Sequence, residues 1–267
     1  MAELAVGLLH PGEMGAALGA ALRSRGVPVL WASEGRSVAS RKRAEDAGLE
    51  DVGSVAELMR RSEVLFSVCP PHAALDVAET VAGYDGLYVD ANAVSPKTAR
   101  AIAETVGDRC VDASIIGPPP RGDSGTRLYL AGREVNLAAG LFAGTLVDTR
   151  ILAAEIGAAS AVKMAYAAWT KGTAALLLGI RALARAEDVE PALLEEWRLS
   201  LPDLEEQSNR AARTAAAKGW RWVGEMEEIA ATFAAAGLPD GFHLAAAEVF
   251  RTSSPDQERV WPLGEAS

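Results

Sequence analysis

The chain has 267 residues, 49% of them hydrophobic and 23% charged, which is material for one large domain or two modest ones. Its net charge of −10 argues against a broad nucleic-acid footprint. No apolar stretch approaches the ~18 uncharged residues of a membrane span and no basic n-region opens the chain, so the expectation is a soluble, cytoplasmic protein.

In chain order, Ala2 to Leu9 is a short apolar run that ends on GLLHPGEMG (Gly7 to Gly15). Met14 to Arg25 carries small and apolar residues at helical spacing and stops at Gly26. VPVLWA reads as a second strand, RSVASRKRAEDAG as a polar helix closed by Gly48, and SVAELMRRS as a short helix. EVLFSVCPP is a buried strand halted by two prolines, followed by the helix HAALDVAETVAG and the strand and loop GLYVDANAVSP. PKTARAIAETVG (helix), RCVDASIIG and RLYLAG (strands), REVNLAAGLFAG (helix) and LVDTRIL (strand) complete the first half. Apolar strands alternating with helices imply a parallel sheet covered on both faces. Cys69 and Cys110 lie at the ends of strand-like segments and read as two thiols in a reducing compartment rather than a disulfide.

From Ala153 onward the pattern is helical, with breaks expected at Pro202, Gly219, Gly237 and Pro239 and a polar tail from Ser253. The fold class is therefore α/β: a doubly wound Rossmann sheet over residues 1–154 and an all-helical domain over 155–267. A long helix joins the two.

Strand, glycine-rich turn and helix at the start of an alternating half is the context a dinucleotide fingerprint requires. Leu9, His10, Pro11, Gly12, Glu13 and Met14 would then surround a pyrophosphate, held by the unpaired N–H groups of the helix N-terminus. Gly12 allows close backbone approach and Gly15 allows helix and strand to pack. His10 replaces the first glycine of the motif, and histidine tolerates positive φ better than most residues. After the second strand, Ser33, Arg36 and Ser37, with Arg41 one turn on, suit a 2′-phosphate, so NADP is favoured. Glu34 leaves NAD as the alternative. Cys69, Pro70 and Asn92 follow strands, at the edge where an open sheet binds its ligand.

On GLLHPGEMG, VCPP, VDANAVSP, DASIIGPPPRGDSGTRLYLAG and GAASAVKMAYAAWTKG, the chain resembles the β-hydroxyacid dehydrogenases over nearly its full length. It is also similar to the 6-phosphogluconate dehydrogenase N-terminal domain and to imine reductases, as a divergent branch. The resemblance implies a Rossmann domain, a helical domain that dimerises, a small-molecule substrate, and a catalytic lysine at Lys163 as general acid/base. The family asparagine one turn later is Ala167 here, and Tyr166 is the candidate replacement donor. In the substrate loop the family serine is Ile116, and Gly117 runs into Pro118, Pro119 and Pro120. The family Lys-Asp pair falls on Gly224 and Glu225; Glu225 and His243 are the candidates from the helical half, with packing the competing role for His243. Lys171 reads as solvated.

These losses point to a carbonyl, imine or masked acid rather than a small free hydroxyacid. The leading reading is an NADP-dependent oxidoreductase acting on a carbonyl or carbinol carbon. An imine reductase and a non-catalytic NADP-binding sensor are the alternatives. No metal site is expected, since His, Cys and acidic residues do not cluster at ligand spacing.

Overall fold

Each apolar run of the first half becomes a strand of one sheet. The computed structural model describes residues 4–122 and 125–252, so Ala2, the loop residues Asp123 and Ser124, and the tail from Ser253 lie outside the described residues. The strands are β1 (Val6–Leu8), β2 (Val29–Trp31), β3 (Glu50–Asp51), β4 (Val64–Ser67), β5 (Leu87–Asp90), β6 (Cys110–Ile116), β7 (Thr126–Gly132) and β8 (Val147–Ile151). Their order across the sheet is β3-β2-β1-β4-β5-β6-β7-β8. The chain starts in the middle, winds to one edge and then returns to fill the other side, as in a Rossmann sheet. All neighbours are parallel except β6 and β7, which pair antiparallel. The expected all-parallel sheet is thus corrected at one place, for a simple reason. A parallel partner needs a crossover of a dozen or more residues, and the nine residues from Gly117 to Gly125 are too few, their described residues carrying no helix.

Strand residues alternate between two buried faces, so both faces are apolar. Val6, Leu8, Val64, Phe66, Leu87 and Val89 pack with Leu18 and Leu22 of α1 (Glu13–Arg23) and with Val135 and Ala138 of α6 (Val135–Leu141). Leu65 and Tyr88 face the other way, against Leu58 of α3 (Val55–Arg61), Val77 of α4 (Ala74–Thr80) and Ile102 of α5 (Pro96–Val106). The polar helix α2 (Val38–Asp46) is capped by Ser37, whose hydroxyl accepts from the Ser40 N–H. β3 has no apolar signal, being Glu-Asp, and escaped the sequence pattern; it exists because Leu30 and Trp31 offer a free edge.

Two compact units result, Met1–Lys163 and Met164–Ser267. The division falls inside α7 (Ala158–Ala186), further along than the change in composition near residue 154. The second unit continues with α8 (Glu190–Ser200), α9 (Leu204–Ala235) and α10 (Gly241–Thr252). The break expected at Gly219 does not occur. Gly219 is buried in mid-α9 beside Phe250 of α10, where even a Cβ would make only ordinary contacts. The break at Pro202 does occur, between α8 and α9. Arg181, Arg185 and Glu190 form a half-buried ion cluster that Ser208 and Asn209 of α9 complete. Among the described residues, no helix is long and apolar enough to cross a membrane.

The tightest approach to a backbone atom in the first unit is at Gly15. A Cβ there would lie 2.3 Å from the His10 carbonyl oxygen, a backbone atom that cannot rotate away. Gly15→Ala should therefore destabilise the protein by about 1–3 kcal/mol, the range for forced overpacking. A urea midpoint unchanged from wild type would refute this.

Candidate cofactor and proton-transfer site

The C-terminal ends of β1, β2, β4, β5 and β6 lie along one edge of the sheet, because these strands are all parallel. After β1 the chain turns sharply: the Gly12 N–H donates to the His10 carbonyl at 2.9 Å, and α1 begins at Glu13. His10 is not in the left-handed region; among the described residues Asp188 is the only non-glycine with positive φ. The turn therefore never needed a glycine at that position, which corrects the conformational role given to His10. Gly12 caps α1 without a side chain, and a Cβ on it would meet nothing within 4 Å. Leu9 and Pro11 are buried, Leu9 in the core, so they offer backbone rather than side chain; Glu13 is exposed and Met14 half-buried.

After β2, Arg36 folds inward. Its Nε is buried without a hydrogen-bond partner, and its charge is felt by both His10 and Cys69. His10 Nδ1 is likewise buried and unpartnered. Burial, with the Arg36 charge second, lowers the His10 ring to about 4, so it is neutral at physiological pH. Burial also lowers the Arg36 guanidinium from its ordinary value. The rest of the expected phosphate pocket is committed elsewhere. Arg41 donates to the Ser33 carbonyl at 2.8 Å, the Ser33 hydroxyl bonds Asp51, and Ser37 is the α2 cap. Arg43, which the sequence pattern did not single out, reaches back to the Pro11 carbonyl at 3.2 Å and so ties α2 to the glycine turn. Its register on α2, seven residues after Arg36, was the available signal.

After β4 and β5 a buried network forms. The Asn92 carboxamide accepts from the Cys69 N–H at 2.6 Å and donates to Ser67 Oγ at 3.0 Å and to Asp90 Oδ1. Asn92 thus shapes the edge from within. Pro70 is exposed, while burial pushes the Cys69 thiol up to about 11 and keeps it protonated. Cys69 and Cys110 are both free thiols.

β6 ends in Ile116, buried, and Gly117, whose φ of +115° leaves no space for a side chain: a Cβ would sit 2.9 Å from the Gly125 carbonyl oxygen. The Pro118 carbonyl accepts from Thr126 Oγ1 at 2.6 Å, closing the base of the loop. Lys163 donates from Nζ to the Ile115 carbonyl at 2.8 Å, and burial lowers its pKa from the ordinary lysine value. The ammonium therefore stands at the same sheet edge as the glycine turn.

The remaining candidates belong to the second unit. Tyr166 is 47% exposed on α7. Lys171 is not solvated as expected: it pairs with Glu225 of α9, and both side chains are largely buried. That pairing occupies the carboxylate assigned to the substrate. His243 is 5% exposed and packs its ring against Phe233 at 4.2 Å and Phe242 at 5.3 Å, so packing accounts for it.

Residues 184–253 match a domain of unknown function, DUF1932. An uncharacterized 28.5 kDa protein from the 7S RNA 5′ region of Methanothermus fervidus is 29% identical over 192 residues, 71% of this chain and 74% of that one. A conserved protein of unknown function, described as structurally similar to 3-hydroxyacid dehydrogenases, is 28% identical with a TM-score of 0.69, over 93% of this chain and 96% of that one. 3-Hydroxyisobutyrate dehydrogenase from Mycobacterium tuberculosis, solved with L-serine, is 16% identical with a TM-score of 0.71, over 93% and 92% of the two chains. A reductive aminase from Aspergillus terreus, in complex with NADPH and ethyl levulinate, is 17% identical with a TM-score of 0.60, over 94% and 93%. The Rossmann-ordered sheet and the helices that follow it therefore have the fold of the 3-hydroxyacid dehydrogenases and reductive aminases, with a DUF1932 segment at the helical end.

Proposed function

We propose that the protein is an NADP-dependent oxidoreductase acting on a carbonyl or carbinol carbon, with Lys163 as general acid/base. The observation that carries this is the place of the Lys163 ammonium, fixed on the end of β6 at the edge where β1 and β2 present Gly12 and Arg36. The chain's residues fit the cofactor: open space over Gly12 at the start of an 11-residue helix suits a pyrophosphate, and the unpartnered Arg36 Nε suits a 2′-phosphate. The bound nicotinamide supplies or takes up the hydride. Lys163 handles the proton, giving Nζ–H to the substrate oxygen as it becomes a hydroxyl and recovering it in the reverse direction. Its hydrogen bond to Ile115 aims the amine, and its lowered pKa brings proton loss nearer neutrality.

Fluorescence titration tests the cofactor. Arg36→Ala should weaken NADPH about tenfold or more and leave NADH nearly unchanged, because only the extra phosphate needs the guanidinium. Equal losses for both cofactors would remove the assignment.

With carbonyl and imine substrates in hand, Lys163→Met should lower turnover by ~10²–10⁴-fold while NADPH still binds. The wild-type pH–rate profile should contain an ionisation, displaced below that of free lysine, that the variant lacks. Near-wild-type turnover would reject Lys163 as the acid. Tight NADPH binding with no turnover on any substrate would favour the sensor reading.

The second unit supports a homodimer. On α7, Tyr166, Trp169, Leu176 and Leu183 are exposed at three- and seven-residue spacing, an apolar seam of the kind helices use to pair. Leu176→Asp with Leu183→Asp should convert a dimer to a monomer in sedimentation velocity. A wild-type monomer at micromolar concentration would refute the dimer.

A further inference from the structure

Asp90 and Asp112 are direct register partners on adjacent parallel strands, so their side chains leave the sheet on the same face. Both are 1% exposed. Two carboxylates this close in a buried site do not both ionise at neutral pH. Their surroundings differ sharply. Asp112 accepts four hydrogen bonds at the start of α7: Oδ2 from the N–H groups of Gly157 (2.8 Å), Ala159 (2.9 Å) and Ser160 (3.1 Å), and Oδ1 from the Ser160 hydroxyl (2.7 Å). Asp90 has only Asn92 as a donor, through its side-chain amide on Oδ1 and its backbone N–H, and Oδ2 has no partner.

We infer that the pair holds one proton, carried by Asp90, while Asp112 keeps the charge that binds the first turn of α7. A helix N-terminus with three donors is the best place in the unit for a buried anion. A carboxyl oxygen without a partner is tolerable neutral and very unfavourable ionised. Each member is a positioning residue for one half of the site. Neutral Asp90 orients the Asn92 amide, which in turn holds the Cys69 N–H. Ionised Asp112 fixes the turn from which Lys163 projects three residues later. The functional meaning rests on the oxidoreductase reading; the proton itself does not.

The groups facing the pair leave this assignment intact. Tyr88 and Cys110 lie on the same face, and burial raises both well above their ordinary values, so they are neutral. The Cys69 thiol is neutral too, and Arg36 is the charge beside it. From α5, Arg100 lies beside Gly157 at the same helix start. Burial, with Asp112 second, raises Asp90 to about 7; burial raises Asp112 too, but the bonds from Ser160, Gly157 and Ala159 pull it back down. A raised carboxyl contributes stability that is present at low pH and is lost as pH rises through the folded value.

Infrared spectroscopy of the unliganded protein at neutral pH should show a protonated carboxyl band that Asp90→Asn abolishes. Thermal stability should fall from about pH 5 to about pH 8 in wild type and be flatter over that range in Asp90→Asn. Amide exchange at Ala159 and Ser160 should speed up by about tenfold or more in Asp112→Asn, with Ser160→Ala as the milder variant should Asp112→Asn not fold. A band that survives in Asp90→Asn, unaltered exchange in both α7 variants, or a pH slope identical in wild type and Asp90→Asn would overturn the inference. None of these readouts uses cofactor, so a failed NADPH titration would leave them standing, and their failure would leave the NADPH reading intact.

Discussion

The first unit depends on one buried anion, the Asp112 carboxylate at the start of α7. A long helix that begins beside a sheet leaves its first N–H groups without partners, and a carboxylate in the middle of a sheet is unstable alone. Here each satisfies the other, through three backbone donors and one hydroxyl. The bond set fixes where α7 starts and how its first turn is rotated. That rotation decides which residue points at β6, and Lys163 is the one that reaches the Ile115 carbonyl. Gly15 plays the matching role at the other end of the site, where α1 approaches the His10 carbonyl too closely for any side chain.

The cofactor edge shows how an incomplete motif can still form the turn it encodes. The first glycine of the fingerprint is needed only where the backbone enters the left-handed region, and at His10 it does not. The imidazole fills the space instead, held neutral by burial and by Arg36. A charged ring next to that guanidinium would repel it. The substitution is therefore compatible with an inward-turned arginine.

Much of this architecture is legible in the sequence, because period and punctuation are local. Apolar runs closed by Pro70 and Pro96 and a polar helix closed by Gly48 marked the strands and helices, and the lysine in an apolar helix stood out as a charge without an obvious place. What escaped depends on pairing across the sheet or between helices. The Asp90–Asp112 contact exists only through the register of β5 and β6, since the two residues lie far apart in the chain. β3 has no apolar residue to announce it. Gly219 looks like a helix stop until Phe250 is known to lie against it. Lys171 and Glu225 look solvated or functional one at a time, and become structural only as a pair.

The loop after β6 carries a consequence of its own. Pro118, Pro119 and Pro120 contribute no backbone N–H, and Gly117 is held by its conformation rather than by a side chain. Of the carbonyls there, that of Pro118 is already bonded to Thr126. A molecule lying against this segment meets ring carbons and acceptor oxygens, with no donors from three successive residues. The prolines themselves offer an anion no backbone donor, whereas their carbonyls and ring carbons suit an alcohol, an amine or an aliphatic surface.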